Sequence, residues 1–233
     1  MDTTPAASAA AWDAEYREGG IPSSHRDEPS GVVRWTLANL PFLGLKSGRA
    51  LDVGCGKGRN TREVARAGFE TTGIDYSNEA ISIAKSLGGE ASLSFLLRDM
   101  NEPLPFEDST IDLVLDIFVY FHNLSGASRR RYREEIHRVL RPTGVVVLSL
   151  ATAGDGYYAA CPALEPNERP GDIPLKWDPE ARVGNILPTQ EQFLAELEDL
   201  FRLEMTWLKR KPGPMHGRTF IRETYAAILR PKG

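Results

Sequence analysis

The chain has 233 residues, 41% hydrophobic and 26% charged, with a formal net charge of −4. This is the composition of an ordinary globular chain, long enough to bury a core of useful size. The acidic balance argues against a general nucleic-acid binder, which carries a basic surplus, and two cysteines, Cys55 and Cys161, make no disulfide framework and fit a reducing compartment.

The opening "MDTTPAASAAAW" lacks the basic start and apolar stretch of a secretory signal. No apolar run approaches the ~20 residues of a membrane helix. A cytoplasmic protein without membrane or nucleic-acid partners is expected. Residues 1 to about 10 are small and polar and are expected to lack fixed structure. Trp12 and Tyr16 are spaced i,i+4 and share a face if this segment is helical. "REGGIPSSHRDEPS" is rich in turn residues and reads as a loop. "SGVVRWTLANLPFL" reads as a helix capped by Ser30 and ended before Pro41.

From Arg49 the pattern becomes alternating. "ALDVG" is a buried strand and "RNTREVARAG" a helix closed by Gly68. "ETTGID" is a second strand, followed by the helix "SNEAISIAKSLGG", capped by Ser77 and stopped by Gly88. "LSFLLRD" and "STIDLVLDIFVYF" are the third and fourth strands. "ASRRRYREEIHRVLRPTG" is a helix broken at Pro142, and "GVVVLSLAT" is a fifth strand. Near-continuous apolar strands alternating with helices indicate an α/β fold with a mostly parallel sheet. Residues 153–188 then interrupt the alternation with a proline-rich insertion bearing Tyr157, Tyr158 and Trp177, too long for an ordinary connection. The helix "TQEQFLAELEDLF", capped by Thr189, leads to two strands joined by "PGPMHG". A junction so short makes that pair antiparallel.

The stretch "LDVGCGKGRN" carries the chemistry. A strand, a glycine-rich turn and a helix form a ligand site, because glycine lets backbone approach a ligand closely. Asp75 ends the second strand 21 residues after Gly54, where an acidic side chain accepts from ribose hydroxyls. The spacing Gly54, Gly56, Gly58 departs from the nicotinamide fingerprint, since Arg59 stands where its third glycine falls. Asp52 is a poor neighbour for a pyrophosphate and a good one for a cationic ligand. S-adenosylmethionine, with a ribose, an ammonium and a sulfonium, matches that electrostatic pattern.

"LDVGCGKGRN", "GIDYSNEAI", "RDMNEPLPFEDSTIDLVL" and "IHRVLRPTGVVVLSL", in this order over about residues 49–150, resemble a class I S-adenosylmethionine-dependent methyltransferase. The resemblance implies a Rossmann-like, doubly wound, seven-stranded and mostly parallel sheet. Its strands end in a C-terminal antiparallel hairpin, and helices cover both faces. It implies a methyltransferase domain over 41–233, carrying the insertion, behind an N-terminal helical lid segment over 1–40. It implies that Gly54, Cys55 and Gly56 line the methionine part with Asp52 nearby. Asp75 would hold the ribose, Tyr76 would stack on adenine, Asp99 and the Met100 backbone would bond the adenine edge, and Asp116 would sit by the methionine portion. "WDAEYREGG" resembles the entry segment of tellurite- and thiopurine-type members, which places Tyr16 over the cofactor. After the fourth strand the family places residues that face the reactive methyl. Tyr120 is then expected as part of an aromatic wall, and His122 as a general base or a packing residue.

The implied activity is methyl transfer to a small molecule held by Tyr157, Tyr158 and Trp177. Arg169, Arg182, Arg218 and Arg222 are candidates for an acceptor carboxylate or plain surface charge. Two alternatives keep the cofactor: cleavage or cyclisation of its amino-acid arm with release of methylthioadenosine, and binding without catalysis. A nicotinamide oxidoreductase is disfavoured by the glycine spacing. No Cys/His cluster has metal spacing, so no metal is expected. "RRRYR", residues 129–133, reads as a solvated helix face pairing with Glu134 and Glu135, and Asp112 as a structural residue at a strand start. No oligomeric state is assigned.

Overall fold

The apolar run before the glycine loop forms β1 (Gly48–Val53), and its last four residues are buried. In this computed structural model, which describes residues 5–19, 21, 24–164 and 171–233, β1 sits at the centre of the sheet. The chain passes through α3 (Arg59–Arg66) to β2 (Phe69–Asp75), and through α4 (Asn78–Ser86) to β3 (Leu93–Leu97). It then returns to β4 (Ile111–Ile117) on the other side of β1. Helix α5 (Gly126–Val139), β5 (Leu140–Ala151), α7 (Gln190–Leu197), β8 (Phe201–Met215) and β9 (Arg218–Pro231) complete the sheet, in the order β3-β2-β1-β4-β5-β9-β8. The first five strands are mutually parallel, and β9 runs antiparallel to both β5 and β8.

The strand order reverses between β1 and β4, which opens a crevice beyond their carboxyl ends. Apolar side chains pack on both faces. Leu51, Val53 and Val114 join Tyr132, Ile136 and Phe193 on one side. Ala50, Leu113 and Leu115 join Val33 of α2 (Gly31–Asn39) and Val64 of α3 on the other. Ser30 caps α2 through its side chain, and a 3₁₀ turn, Leu40–Leu43, follows.

Several local readings are corrected. Helix α1 (Pro5–Glu18) starts inside the segment expected to lack structure, while residues 1–4 lie outside the described residues. The fourth strand ends at Ile117. Asp116 draws the backbone N–H groups of Val119 and Tyr120 onto its carboxylate and folds the chain into the 3₁₀ turn Tyr120–His122. Helix α5 stops at Val139, and Pro142 lies inside β5. The strands of the last hairpin run through Pro212 and Pro214 to a turn at His216 and Gly217, both with positive φ. A two-residue turn of that hand matches strand twist, and the prolines are tolerated because β8 is an edge strand. The described residues of the insertion form α6 (Gly156–Ala160) and a two-stranded hairpin of β6 (Leu175–Asp178) and β7 (Val183–Ile186). Asp112 does serve the strand start, accepting from the Arg49 backbone and from Arg141.

The basic run of α5 has two faces. Arg130 pairs with Glu134 in solvent at 2.9 Å. Arg129 and Arg133 are buried. Arg129 reaches across to Glu196 of α7 at 2.7 Å and to the carbonyls of Asn123 and Leu124, while Arg133 reaches Asp199 at 3.4 Å. Arg129→Ala should therefore lower the unfolding free energy in urea by about 3 kcal/mol, because Glu196 loses its ionic partner in a partly buried site. Arg130→Ala should change it by less than about 1 kcal/mol. Equal effects would refute the assignment.

Candidate functional site

Three glycines make the loop after β1 possible. Gly54, Gly56 and Gly58 have φ of 61°, 54° and 78°. A Cβ on Gly54 would overlap the Val119 side chain, and one on Gly56 would overlap the Tyr16 hydroxyl. The loop is thus pressed between the turn after β4 and helix α1. Cys55 hangs its backbone N–H on Ile74 at 2.9 Å and packs its side chain with Phe95 and Ile81. Burial pushes its thiol well above the ordinary range, so it stays protonated.

Asp75 closes the loop from the end of β2. One carboxylate oxygen accepts from the Gly56 N–H at 2.9 Å and the other from the Ser77 N–H at 2.9 Å. A carboxylate offers about four lone-pair sites, so a ribose hydroxyl pair still finds acceptors. Burial pushes its pKa up to about 6. Above it lies α1, held by Asp13, whose carboxylate accepts from the Ser77 hydroxyl at 2.6 Å and from the Glu79 N–H at 3.1 Å. The same helix brings Trp12 edge-on to His122, with ring centres 5.1 Å apart.

A cavity of about 1700 Å³ opens here. Its walls include Tyr16, Gly54, Cys55, Gly56, Asp75, Tyr76, Asp99, Met100, His122, Tyr158 and Trp177, so most expected site residues converge. Asp99 is partly engaged, because one oxygen accepts from the Asn101 N–H at 2.8 Å. The glycine loop, the carboxylate beyond it and the surrounding rings fit a nucleoside with a cationic amino-acid arm.

Four expected residues are not on those walls. Asp52 turns away, accepts from the Thr61 hydroxyl at 2.7 Å and straps β1 to α3. Asp116 is fully buried and spends its oxygens on Val119, Tyr120 and the Tyr132 hydroxyl at 2.7 Å. Tyr120 is fully buried, and its hydroxyl donates to Glu196 at 2.7 Å and accepts from Arg133. It lies in the core behind the turn, not at a reacting methyl. Tyr157 backs the wall and donates to Asp178 at 2.7 Å.

His122 is on the wall but is a poor base. Burial pulls its pKa down to about 4, and Nδ1 lies 3.4 Å from the Gly184 carbonyl, to which the neutral Nδ1–H tautomer donates. Among the candidate arginines, Arg182 and Arg222 line the cavity. Arg222 is already paired to Asp155 at 2.8 Å and lies over the Tyr158 ring. Arg218 instead stacks on Phe220, and Arg169 lies outside the described residues. Asp13, Val119 and Asp155 were not anticipated; Asp13 reaches Ser77 and Asp155 reaches Arg222, both far along the chain, although Asp155 also caps α6 locally. The described residues contain no group of His, Cys, Asp or Glu suited to hold a metal, and no helix long and apolar enough to cross a membrane.

Comparison with known proteins gives one consistent grouping. The profile of the family described as "Methyltransferase domain" matches residues 51–148. A demethylmenaquinone methyltransferase of Tropheryma whipplei is 36% identical over 117 residues, which cover 50% of this chain and 47% of that protein. The chain thus spans about half the length of that relative. An uncharacterized methyltransferase of Schizosaccharomyces pombe is 31% identical over 112 residues, covering 47% of this chain and 76% of the relative. A crystal structure of the Burkholderia thailandensis 1,6-didemethyltoxoflavin-N1-methyltransferase, with bound 1,6-didemethyltoxoflavin and S-adenosylhomocysteine, superposes with a TM-score of 0.69. It shares 20% identity and covers 100% of this chain and 92% of its own. At that identity the likeness shows the fold.

The buried carboxylates give a test in pH. Burial raises Asp52 from the usual carboxylate range to about 7. A folded value above the unfolded one means that protonation favours the fold. That stabilisation is complete below about pH 4 and is lost as pH rises to about 7. Asp52→Asn keeps an acceptor for Thr61 and does not titrate. The stability of the native protein relative to this variant should fall by about 4 kcal/mol between pH 4 and pH 7.5, read from urea unfolding at each pH. A difference that does not vary with pH would exclude the raised value.

Proposed function

Because the chain belongs to the class I S-adenosylmethionine-dependent methyltransferases, we propose that it transfers the methyl group of S-adenosylmethionine to a small-molecule acceptor. The observation that carries this reading is the size of the cavity. Its volume of about 1700 Å³ exceeds the roughly 300–1,000 Å³ of a usual single-ligand site. Its walls include the glycine loop and Asp75 together with Tyr158 and Trp177 of the insertion. Two molecules side by side match that space. The reading in which the cofactor is itself cleaved calls for a closed pocket without room for an acceptor, so the volume counts against it.

In this reading Asp75 accepts from the ribose hydroxyls, and the Gly54–Gly56 backbone follows the amino-acid arm. Tyr76, Asp99 and Met100 hold the base, and Trp12 and Tyr16 of α1 cover the ligand. The bound cofactor supplies a methyl already activated by a cationic sulfur. The protein has to align the acceptor and exclude water, and positioning of this kind supplies roughly 7–11 kcal/mol. With its pKa down near 4, His122 acts as a wall and hydrogen-bonding group rather than as a strong base. Tyr158 and Trp177 line the acceptor side.

Asp75→Ala should weaken S-adenosylmethionine binding, measured by calorimetry, by well over tenfold, since charge-assisted hydrogen bonds are worth about 1.5–3 kcal/mol each. Unchanged affinity would sink the assignment of the site. Incubated with S-adenosylmethionine alone, the protein should leave it intact by mass spectrometry relative to an enzyme-free control. Methylthioadenosine above that control would turn the reading to cleavage of the cofactor.

A further inference from the structure

The wall of the cavity inverts the charge balance of the chain. The whole chain carries 28 Lys and Arg against 32 Asp and Glu, whereas ten Lys and Arg against seven Asp and Glu line the cavity among the described residues. Four of those cations, Arg26, Arg59, Lys209 and Lys211, are drawn together from three parts of the chain. Trp207, Lys209 and Lys211 alternate along β8, so their side chains share one face of the strand. That face is turned to α2, whose Trp35 stacks on Trp207 with ring centres 6.4 Å apart. The Lys209 ammonium lies 5.7 Å from the centre of the Trp207 ring and 3.6 Å from the position a Cβ on Gly31 would take. Arg59 at the start of α3 donates to the Glu28 carbonyl at 3.0 Å, and the Ser30 N–H donates to Asn60 Oδ1 at 2.9 Å. These bonds tie the segment that carries Arg26 to the start of α3.

The fold leaves these charges uncompensated. Arg210, between the two lysines and on the other face of β8, pairs with Glu223 at 3.7 Å. Arg26, Lys209 and Lys211 have no ion pair among the described residues, and all three are exposed on the cavity wall. Burial and the like charges of Lys211 and Arg26 hold the Lys209 ammonium below its ordinary value. Burial and Arg26 do the same to Arg59, while Asp52 and Glu28 act on it in the opposite sense and more weakly. Like charges brought together on a concave wall raise the local concentration of an anion that fits between them. In the sheet order β8 stands four strands from β1, roughly 19 Å at the usual spacing. Its lysines therefore face a ligand beside the cofactor rather than the arm that follows the glycine loop.

We propose that Arg26, Lys209 and Lys211 bind an anionic group, a carboxylate or a phosphate, of the methyl acceptor. The acceptor is then a small organic anion. This rests on the methyl-transfer reading and names its substrate class. The three cations are specificity residues, and none takes part in the displacement.

Three probes of similar shape test it on the protein loaded with S-adenosylhomocysteine: benzoate, phenyl phosphate and the neutral benzamide. By ligand-observed NMR titration the native protein should bind one of the two anions at least about tenfold more tightly than benzamide, and the better anion tells carboxylate from phosphate. Raising the ionic strength from about 0.02 M to about 0.5 M should shrink that preference below about threefold. Lys209→Gln combined with Lys211→Gln should shrink it as far, while S-adenosylhomocysteine affinity stays unchanged. The charge-matched pair Lys46→Gln and Lys85→Gln, on lysines outside the cavity wall, should keep it. Equal binding of anions and benzamide to the native protein overturns the proposal, and so does failure of all three to bind. Those measurements need no variant, so misfolding of a variant does not protect it. A preference retained by the folded Lys209→Gln/Lys211→Gln protein overturns it as well. So does a clear loss of S-adenosylhomocysteine affinity in that folded variant, which would assign the cations to the carboxylate of the cofactor. Failure of the native protein to bind S-adenosylhomocysteine is a different result, which removes the methyl-transfer reading itself and this inference with it.

Discussion

Three adjacent parallel strands carry a buried aspartate at or next to their last residue, and each carboxylate is satisfied by donors of the fold. This constraint organises the carboxyl edge of the sheet. Asp52 of β1 takes the Thr61 hydroxyl, Asp75 of β2 takes the N–H groups of Gly56 and Ser77, and Asp116 of β4 takes those of Val119 and Tyr120. A strand end buried between helices leaves backbone donors that must find partners. For Asp75 and Asp116 the carboxylate supplies them and in doing so sets the turn that follows, while Asp52 takes only a side-chain hydroxyl. The glycine loop, the first turn of α4 and the 3₁₀ turn after β4 are therefore fixed by neighbouring instances of one arrangement. Burial holds all three carboxyls above the usual range, Asp52 to about 7 and the other two to about 6.

Of the three, Asp75 alone borders the cavity. The difference is one of orientation, because Asp52 and Asp116 point to elements beside the sheet and Asp75 points across the crevice. The interaction also extends outward. Ser77, positioned by Asp75, donates to Asp13 of α1, and α1 lays Tyr16 over Gly56. The floor and the cover of the site are thus joined by a short run of hydrogen bonds through two carboxylates.

The parts of this arrangement set by local pattern were legible in the sequence. Alternation of apolar strands and helices, the caps Ser30, Ser77 and Thr189, and the spacing of the glycines depend on neighbours a few residues away. Asp75 was legible for the same reason, since the end of β2 has to face the crevice. Asp52, Asp116, Tyr120 and Tyr157 lie off the cavity wall because tertiary partners decide the direction of each side chain. Tyr120 finds Glu196, Tyr132 finds Asp116, and Tyr157 finds Asp178 across a hairpin that no periodicity announced. The run of arginines was half legible. Arg130 follows the i,i+4 rule with Glu134, but the inward course of Arg129 and Arg133 depends on acids in and just after α7.

The two prolines of β8 have a consequence beyond the hairpin they share. A strand at the border of a sheet offers its free N–H groups to any extended chain that meets it. Pro212 and Pro214 delete two such donors from the outermost strand, and Lys209 and Lys211 precede them with positive charge. An incoming strand finds gaps in the ladder and repulsion between like charges. This border of the sheet is thereby defended against self-association while its inner side remains free to wall the cavity.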